Sequence, residues 1–331
     1  MYAKISDNRG TYMPNDRMNE IAGVLSRKLK IILAESDMDF DGMQEIRLRI
    51  NSPLIILYKD AEVCLDNHGR RTANMACAYK VTAEDIRETL EYISHYSLYA
   101  YEDEVRQGFI TIAGGHRVGL CGRVITETDE IKSIRYISFI NIRLSHQIRG
   151  CARHVMPFIA DGGHIRHTLI ISPPGCGKTT LLRDVVRMLS DGYDDVRGVT
   201  VGVVDERSEI AACYRGVPQN DLGKRTDVLD CCPKSYGMMM LIRSMSPKVI
   251  AVDEIGGRDD IAAIYDVINC GSKLIATVHG NKVEDIRKRP GLMTLMDERI
   301  FERYIVLDNR GGAGHIENIF DERGSRLYGM E

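Results

Sequence analysis

Apolar residues at Ile21, Val24, Leu25, Leu29 and Ile32 recur at helical spacing and predict an amphipathic helix over Asn19–Leu33. The stretch before it, residues 1–18, is polar, carries Gly10 and Pro14, and reads as a loose arm. From Glu45 the pattern alternates, with Ile46, Leu48 and Ile50 on one face, then breaks at Asn51, Ser52 and Pro53 before a second apolar run to Tyr58. Two strands about a turn are predicted there. Thr82 stands three residues before Asp85 in an N-cap pattern, and Ile86, Leu90 and Ile93 continue a helical stripe. A short helix is expected from Leu98 to Arg106, then strands at Gly108–Ile112, His116–Ile125 and Ile134–Arg143. Residues 19–144 therefore read as an α+β domain with an antiparallel sheet.

Beyond Leu144 the rhythm changes. Residues 145–165 read as a linker with a helix at Arg149–Ala160, ended by Asp161-Gly162-Gly163. Short, wholly apolar runs then alternate with helical segments: Thr168–Ile171, Val199–Asp205, Val249–Asp253 and Leu274–His279. Such runs indicate strands buried on both faces, hence an α/β domain with a mostly parallel sheet over residues 166–331. Its tail, Arg303–Leu307 and His315–Phe320 around a glycine-rich turn, reads as a β-hairpin.

Composition narrows the function. The formal charge is −3 over 331 residues and neither half is basic, so a protein that grips a duplex by bulk charge is not expected. No apolar run approaches the ~18 residues of a membrane span, and Met1–Arg9 lacks a secretory signal, so a cytoplasmic protein is expected. The nine cysteines are scattered without metal-binding spacing and read as reduced thiols. The adjacent Cys231 and Cys232 read either as a redox pair or as small hydrophobes.

The strongest chemical signal follows the first apolar run of the second domain. Ser172-Pro173-Pro174-Gly175-Cys176-Gly177-Lys178-Thr179-Thr180 matches a Walker A loop except that Ser172 replaces the first Gly. Gly175 and Gly177 let backbone N–H groups converge on phosphate oxygens, and the helix start adds its positive dipole end. Lys178 should reach the β and γ phosphates of ATP, and Thr179 should hold Mg²⁺. The apolar run to Val252 ends in Asp253 and Glu254, the form of a Walker B strand: Asp253 for the metal, Glu254 for the attacking water. Asp205 and Glu206 end another strand and read either as rivals of Glu254 for the base role, Glu206 being favoured on reach, or as residues that solvate a loop and cap the next helix. Thr277 and His279 close the last buried strand, where they read either as γ-phosphate sensors or as structural residues. Arg117, Arg123 and Arg243 read either as charge neutralisers or, for any single one more readily, as surface cations, with 117, 119, 121 and 123 on one strand face.

Taken in order, these elements resemble the secretion ATPase superfamily, the RecA-like motors of type II and type IV secretion and of pilus retraction. The segments GGHRVGLCGR, SPPGCGKTTLLRD, VVDERSEIA, MMMLIRSMSPKVIAVDEIGG and ATVHG look more closely like a sporulation branch found in endospore-forming bacteria. That resemblance implies a RecA-like P-loop NTPase domain behind an α+β domain and a hexameric ring. Arg117 and Arg123 would approach the phosphates, and Asp205 would take the acidic-box position often assigned catalysis. It also implies a mother-cell ATPase peripheral to the membrane, with integral membrane proteins of a channel to the forespore as partners. Two departures stand out: Asp253-Glu254 replaces the motors' Gly-Glu pair, and no cysteine-rich zinc insertion is present. The competing reading is a RecA-like nucleic-acid motor or clamp. With no Trp and six Phe, stacking platforms are sparse, and no specific nucleic acid is expected. A small-molecule kinase would need a lid and an acceptor pocket, which nothing in the sequence marks.

Overall fold

The first hydrophobic stripe makes two helices. In the computed structural model, which describes residues 14–97, 101, 104, 105, 108–127, 130–310 and 314–329, helices run over Pro14–Val24 and Arg27–Ala34. Ser26 separates them because its hydroxyl caps the second helix, accepting the Leu29 N–H at 3.3 Å. Residues 14–18, expected in the loose arm, are therefore helical. The same Ser26 hydroxyl donates to Asp85 at 2.6 Å, and Asp85 also accepts from Tyr79 at 2.7 Å and from the Thr82 N–H at 2.9 Å. Asp85 thereby completes a capping box for helix Ala83–Ile93 and pins it to helix Arg27–Ala34. Burial alone would raise this carboxyl; the converging donors outweigh it and hold it below the usual range. The helix expected at Leu98–Arg106 lies largely outside the described residues.

The chain divides after His146 into two units, each with its own core. In the first, β1 (Met43–Arg49), β2 (Ile55–Tyr58), β3 (Ala61–Leu65), β4 (Arg71–Thr72), β5 (Phe109–Ile112), β6 (His116–Glu127) and β7 (Glu130–Arg143) form one sheet. Its order is β4-β3-β2-β1-β7-β6-β5, antiparallel throughout. Ile46 and Leu48 of β1 enter the core, whereas Glu45, Arg47 and Arg49 alternate onto the other face. There an open cleft of about 770 Å³ is lined by Arg47, Arg117, Phe139 and Arg143 among others.

In the second unit the expected linker is part of the core. Ala152, Val155, Met156 and Ile159 are fully buried with Leu181 and Val185, and only Met156–Ile159 is α-helical. The predicted longer helix fails because Gly150 takes φ 86° and the Ala152 N–H is captured by the Asp184 carboxylate at 2.8 Å. A small hairpin, β8 (Ala160–Asp161) and β9 (His164–Ile165), leads into β10 (Thr168–Ser172). After a second small hairpin, β11 (Gly192–Tyr193) and β12 (Val196–Arg197), come β13 (Val201–Asp205), β14 (Thr226–Asp230), β15 (Val249–Val252), β16 (Lys273–His279), β17 (Arg303–Asp308), β18 (His315–Asp321) and β19 (Arg326–Tyr328).

The main sheet has the order β14-β13-β15-β16-β10-β17-β18-β19, parallel through β17. Successive residues of β10 and β15 enter opposite cores, Ile170 and Ala251 on one side, Ile171 and Val252 on the other, which explains their unbroken apolar runs. The tail hairpin gains a third antiparallel strand, β19. No helix among the described residues is long and apolar enough to cross a membrane.

At the β10 entrance His167 is buried; its Nδ1 accepts the Leu274 N–H at 3.1 Å and its backbone N–H donates to Glu302 at 2.9 Å. Burial, with Lys273 nearby, pushes the imidazole down to about 4 from an ordinary 6.5. Glu302, which also takes Lys273 at 3.0 Å and His164 at 3.3 Å, is held down at about 2. A folded-state value below the unfolded one means that the unfolded chain takes the proton first, so His167 erodes stability as pH falls from 6.5 towards 4. Glu302 adds its own loss only below about 4.5. The melting temperature should therefore fall between pH 7 and pH 5. His167→Asn, which keeps an acceptor for Leu274, should flatten that slope; an unchanged slope in the variant would refute the assignment.

Candidate active site

The site is built where the parallel strands end. Ser172 is still inside β10, fully buried, and its hydroxyl donates to the Pro173 carbonyl at 2.8 Å, so the position where a first Gly is expected tolerates a side chain. The turn needs glycine further on: Gly175 and Gly177 adopt φ 78° and 88°, a region L-residues avoid. The exposed Pro174 precedes the first of these glycines, the buried Cys176 stands between the two, and the Cys176 carbonyl accepts the Gly314 N–H at 2.8 Å. Helix Lys178–Asp191 starts directly after Gly177, so its first N–H groups face the loop interior. Thr180, in its first turn, is half-buried.

β16 lies between the strand carrying this loop and the strand carrying the acids. Its Thr277 is the hinge of the arrangement: the hydroxyl accepts the Glu254 N–H at 2.9 Å and donates to Asp253. Asp253 also accepts from Thr179 Oγ1 at 2.6 Å. Glu254 sits at φ 57°, a strained conformation for a non-glycine residue, held by that backbone bond. Its carboxylate gathers three nitrogen-bearing side chains: Lys178 Nζ at 2.6 Å and His279 Nε2 at 2.8 Å on Oε1, and Arg207 Nη1 at 2.9 Å on Oε2. Burial would raise this group, but the Lys178 hydrogen bond and charge, followed by His279 and Arg207, hold it below the ordinary carboxylate range.

The other carboxylates are engaged differently. Asp205, expected as a candidate base, is buried and accepts three backbone N–H groups, from Glu209 at 2.8 Å, Ile210 at 3.0 Å and Ala211 at 2.7 Å. These bonds fasten the loop that follows β13, the second of the two readings the sequence allows. Burial is the larger influence on its carboxyl and pushes it up against the pull of those donors. Glu206, favoured on reach, is ion-paired with Lys234 at the start of helix Lys234–Ser244. Arg183 of the P-loop helix braces the same loop through the Ile210 and Glu209 carbonyls, both at 2.9 Å. Asp205→Asn would turn an NH₂ towards at least one of these N–H groups and leave it unpaired. A loss of about 1–3 kcal/mol is expected on unfolding by denaturant; an unaltered midpoint would refute this role.

The arginines named from sequence separate. Arg243 is exposed in the last turn of its helix, and no hydrogen bond or ion pair among the described residues ties it to the cluster. Arg117 lines the cleft of the first unit with its guanidinium 4.0 Å from the Phe109 ring centre. Arg123 does not line that cleft: the β6–β7 ladder slips between Cys121 and Arg123, so the alternation expected to join the two arginines is interrupted. Sequence reasoning missed Arg207, although it stands inside the acidic segment Asp205–Glu209; the available signal was a lone cation among four polar neighbours.

A parallel sheet with the strand of the glycine loop next to an inserted strand, the acid-bearing strand beyond it and helices on both faces defines a RecA-like P-loop fold. Solved structures agree on the fold. The ATPase DotB of Legionella pneumophila superposes with a TM-score of 0.51 at 15% identity, covering 91% of this chain and 77% of that one. The pilus retraction motor PilT with bound ADP gives 0.52 at 12% identity, covering 80% and 74%. Within that class the chain belongs to the family described as sporulation stage III, protein AA, which matches residues 15–327. It is 44% identical over 311 residues to stage III sporulation protein AA of Bacillus subtilis (strain 168), covering 94% of this chain and 97% of the relative.

Proposed function

We propose that the protein is a Mg²⁺-dependent ATP hydrolase that powers a membrane-associated export or channel complex between mother cell and forespore. The observation that carries the reading is the meeting of Lys178 and Thr179 with Glu254 and Asp253 across the intervening strand. On binding, the triphosphate takes the glycine-lined loop and Lys178 turns from Glu254 to its β and γ oxygens. Glu254, released on the loop side, orients the attacking water and receives its proton. Asp253 Oδ2 and Thr179 Oγ1 supply hard oxygen donors 2.6 Å apart at the mouth of the phosphate loop, a set that fits Mg²⁺. That ion neutralises charge on the β and γ oxygens when bound.

Family membership supports the cellular setting and an assembly of several copies, with integral membrane proteins as partners; a hexameric ring is the form we propose. In such a ring Arg117 and Arg123 are our candidates for the phosphate-facing cations of the first unit. Phosphate release from MgATP by the purified protein, with and without its membrane-bound neighbours, tests the reading. A protein that binds no nucleotide under either condition would overturn it.

A further inference from the structure

Nucleotide binding in this site requires an exchange. Lys178 is 11% exposed and bonded to Glu254, so phosphate must draw its ammonium away and leave behind a carboxylate that is itself only 19% exposed. A partly buried carboxylate stripped of its counter-charge is costly, which would weaken binding unless another cation stays on it.

We propose that Arg207 is the positioning residue that makes this exchange possible, keeping Glu254 paired and oriented while Lys178 moves to the phosphates. The inference rests on the nucleotide reading above. Arg207 holds Oε2 at 2.9 Å, whereas Lys178 and His279 share Oε1, so Lys178 can depart without disturbing the arginine. The platform under Arg207 is fixed on both sides. Asp205 ties the amides of Glu209, Ile210 and Ala211, Arg183 ties two of the carbonyls, Lys234 pairs with Glu206, and Ser208 holds φ 52°. A loop braced this heavily presents Arg207 to Glu254 from a set direction, and a bond to Oε2 fixes the carboxylate plane with Oε1 towards the P-loop. The Arg207 side chain is 66% exposed, so removing it opens no cavity in the core.

Equilibrium binding of MgADP to the full chain, measured by calorimetry, tests the idea without relying on turnover. Arg207→Ala should weaken ADP about tenfold, because releasing Lys178 then leaves Glu254 with His279 alone. Glu254→Gln should bind at least as tightly as the parent, having no charge to strand. Adding Arg207→Ala to Glu254→Gln should change affinity by less than about twofold, since the arginine acts through that carboxylate. Arg207→Lys, keeping charge but losing the planar fork, should recover part of the loss. Equal losses from Arg207→Ala in both backgrounds, or none in the parent, would overturn the proposal while leaving the nucleotide reading intact. A parent chain that binds no ADP would overturn both.

Discussion

Lys178→Ala should abolish ATP turnover, by at least ~10³-fold, while leaving a folded protein. The ammonium is the single cation that the P-loop helix delivers to the glycine turn, and its removal deletes charge where the transferred phosphoryl group develops it. Folding should survive for a reason visible in the site. Deleting a lysine usually strands its buried partner, but Glu254 keeps His279 at 2.8 Å and Arg207 at 2.9 Å. The glycine turn and helix Lys178–Asp191 depend on backbone geometry and on Leu181, Leu182, Val185 and Val186, none of which touches this charge. Near-native melting with no phosphate release is the expected pair of results. Undiminished hydrolysis in the variant would remove the assignment of the loop.

The legible parts of this molecule are those whose physics is local. Gly175, Gly177, Lys178 and Thr179 are diagnostic because the turn itself demands left-handed residues beside a lysine, all within five positions. The apolar runs of β10 and β15 announced strands covered on both faces because every residue along them is buried. What escaped depends on partners distant in sequence. Residues 149–155 have a plausible helical stripe, yet the Asp184 carboxylate, more than thirty positions away, takes the Ala152 N–H. Asp205 reads equally as a base or as a loop residue from its strand-end position; only the folded loop shows its oxygens bonded to three amides. Arg207 reaches Glu254 across two strands that are neighbours only in the sheet order, which no spacing rule encodes. Glu254 itself was legible as a strand-end acid, but its left-handed φ and its three side-chain partners were not.

Those three partners give Glu254→Gln the other large effect, and one that separates chemistry from binding. Loss of the carboxylate should lower kcat by about 10²–10⁴, the range for removing a positioned general base. Affinity should move the opposite way or stay level, because Lys178 no longer has to be drawn from a carboxylate 2.6 Å away. That split distinguishes Glu254 from its rivals. Glu206→Gln loses an ion pair with Lys234 and should retain most of kcat. Asp205→Asn should lose stability and activity together, since its contribution is the shape of the loop that presents Arg207. If Glu206→Gln abolished turnover while Glu254→Gln kept kcat within about threefold, the base would be Glu206, and the Lys178–Glu254 contact would be only the resting partner of the lysine. The expected order, a collapse in kcat with retained ADP binding for Glu254 alone, follows from its being the carboxylate that shares the P-loop lysine and also stands beside the proposed metal-side Asp253.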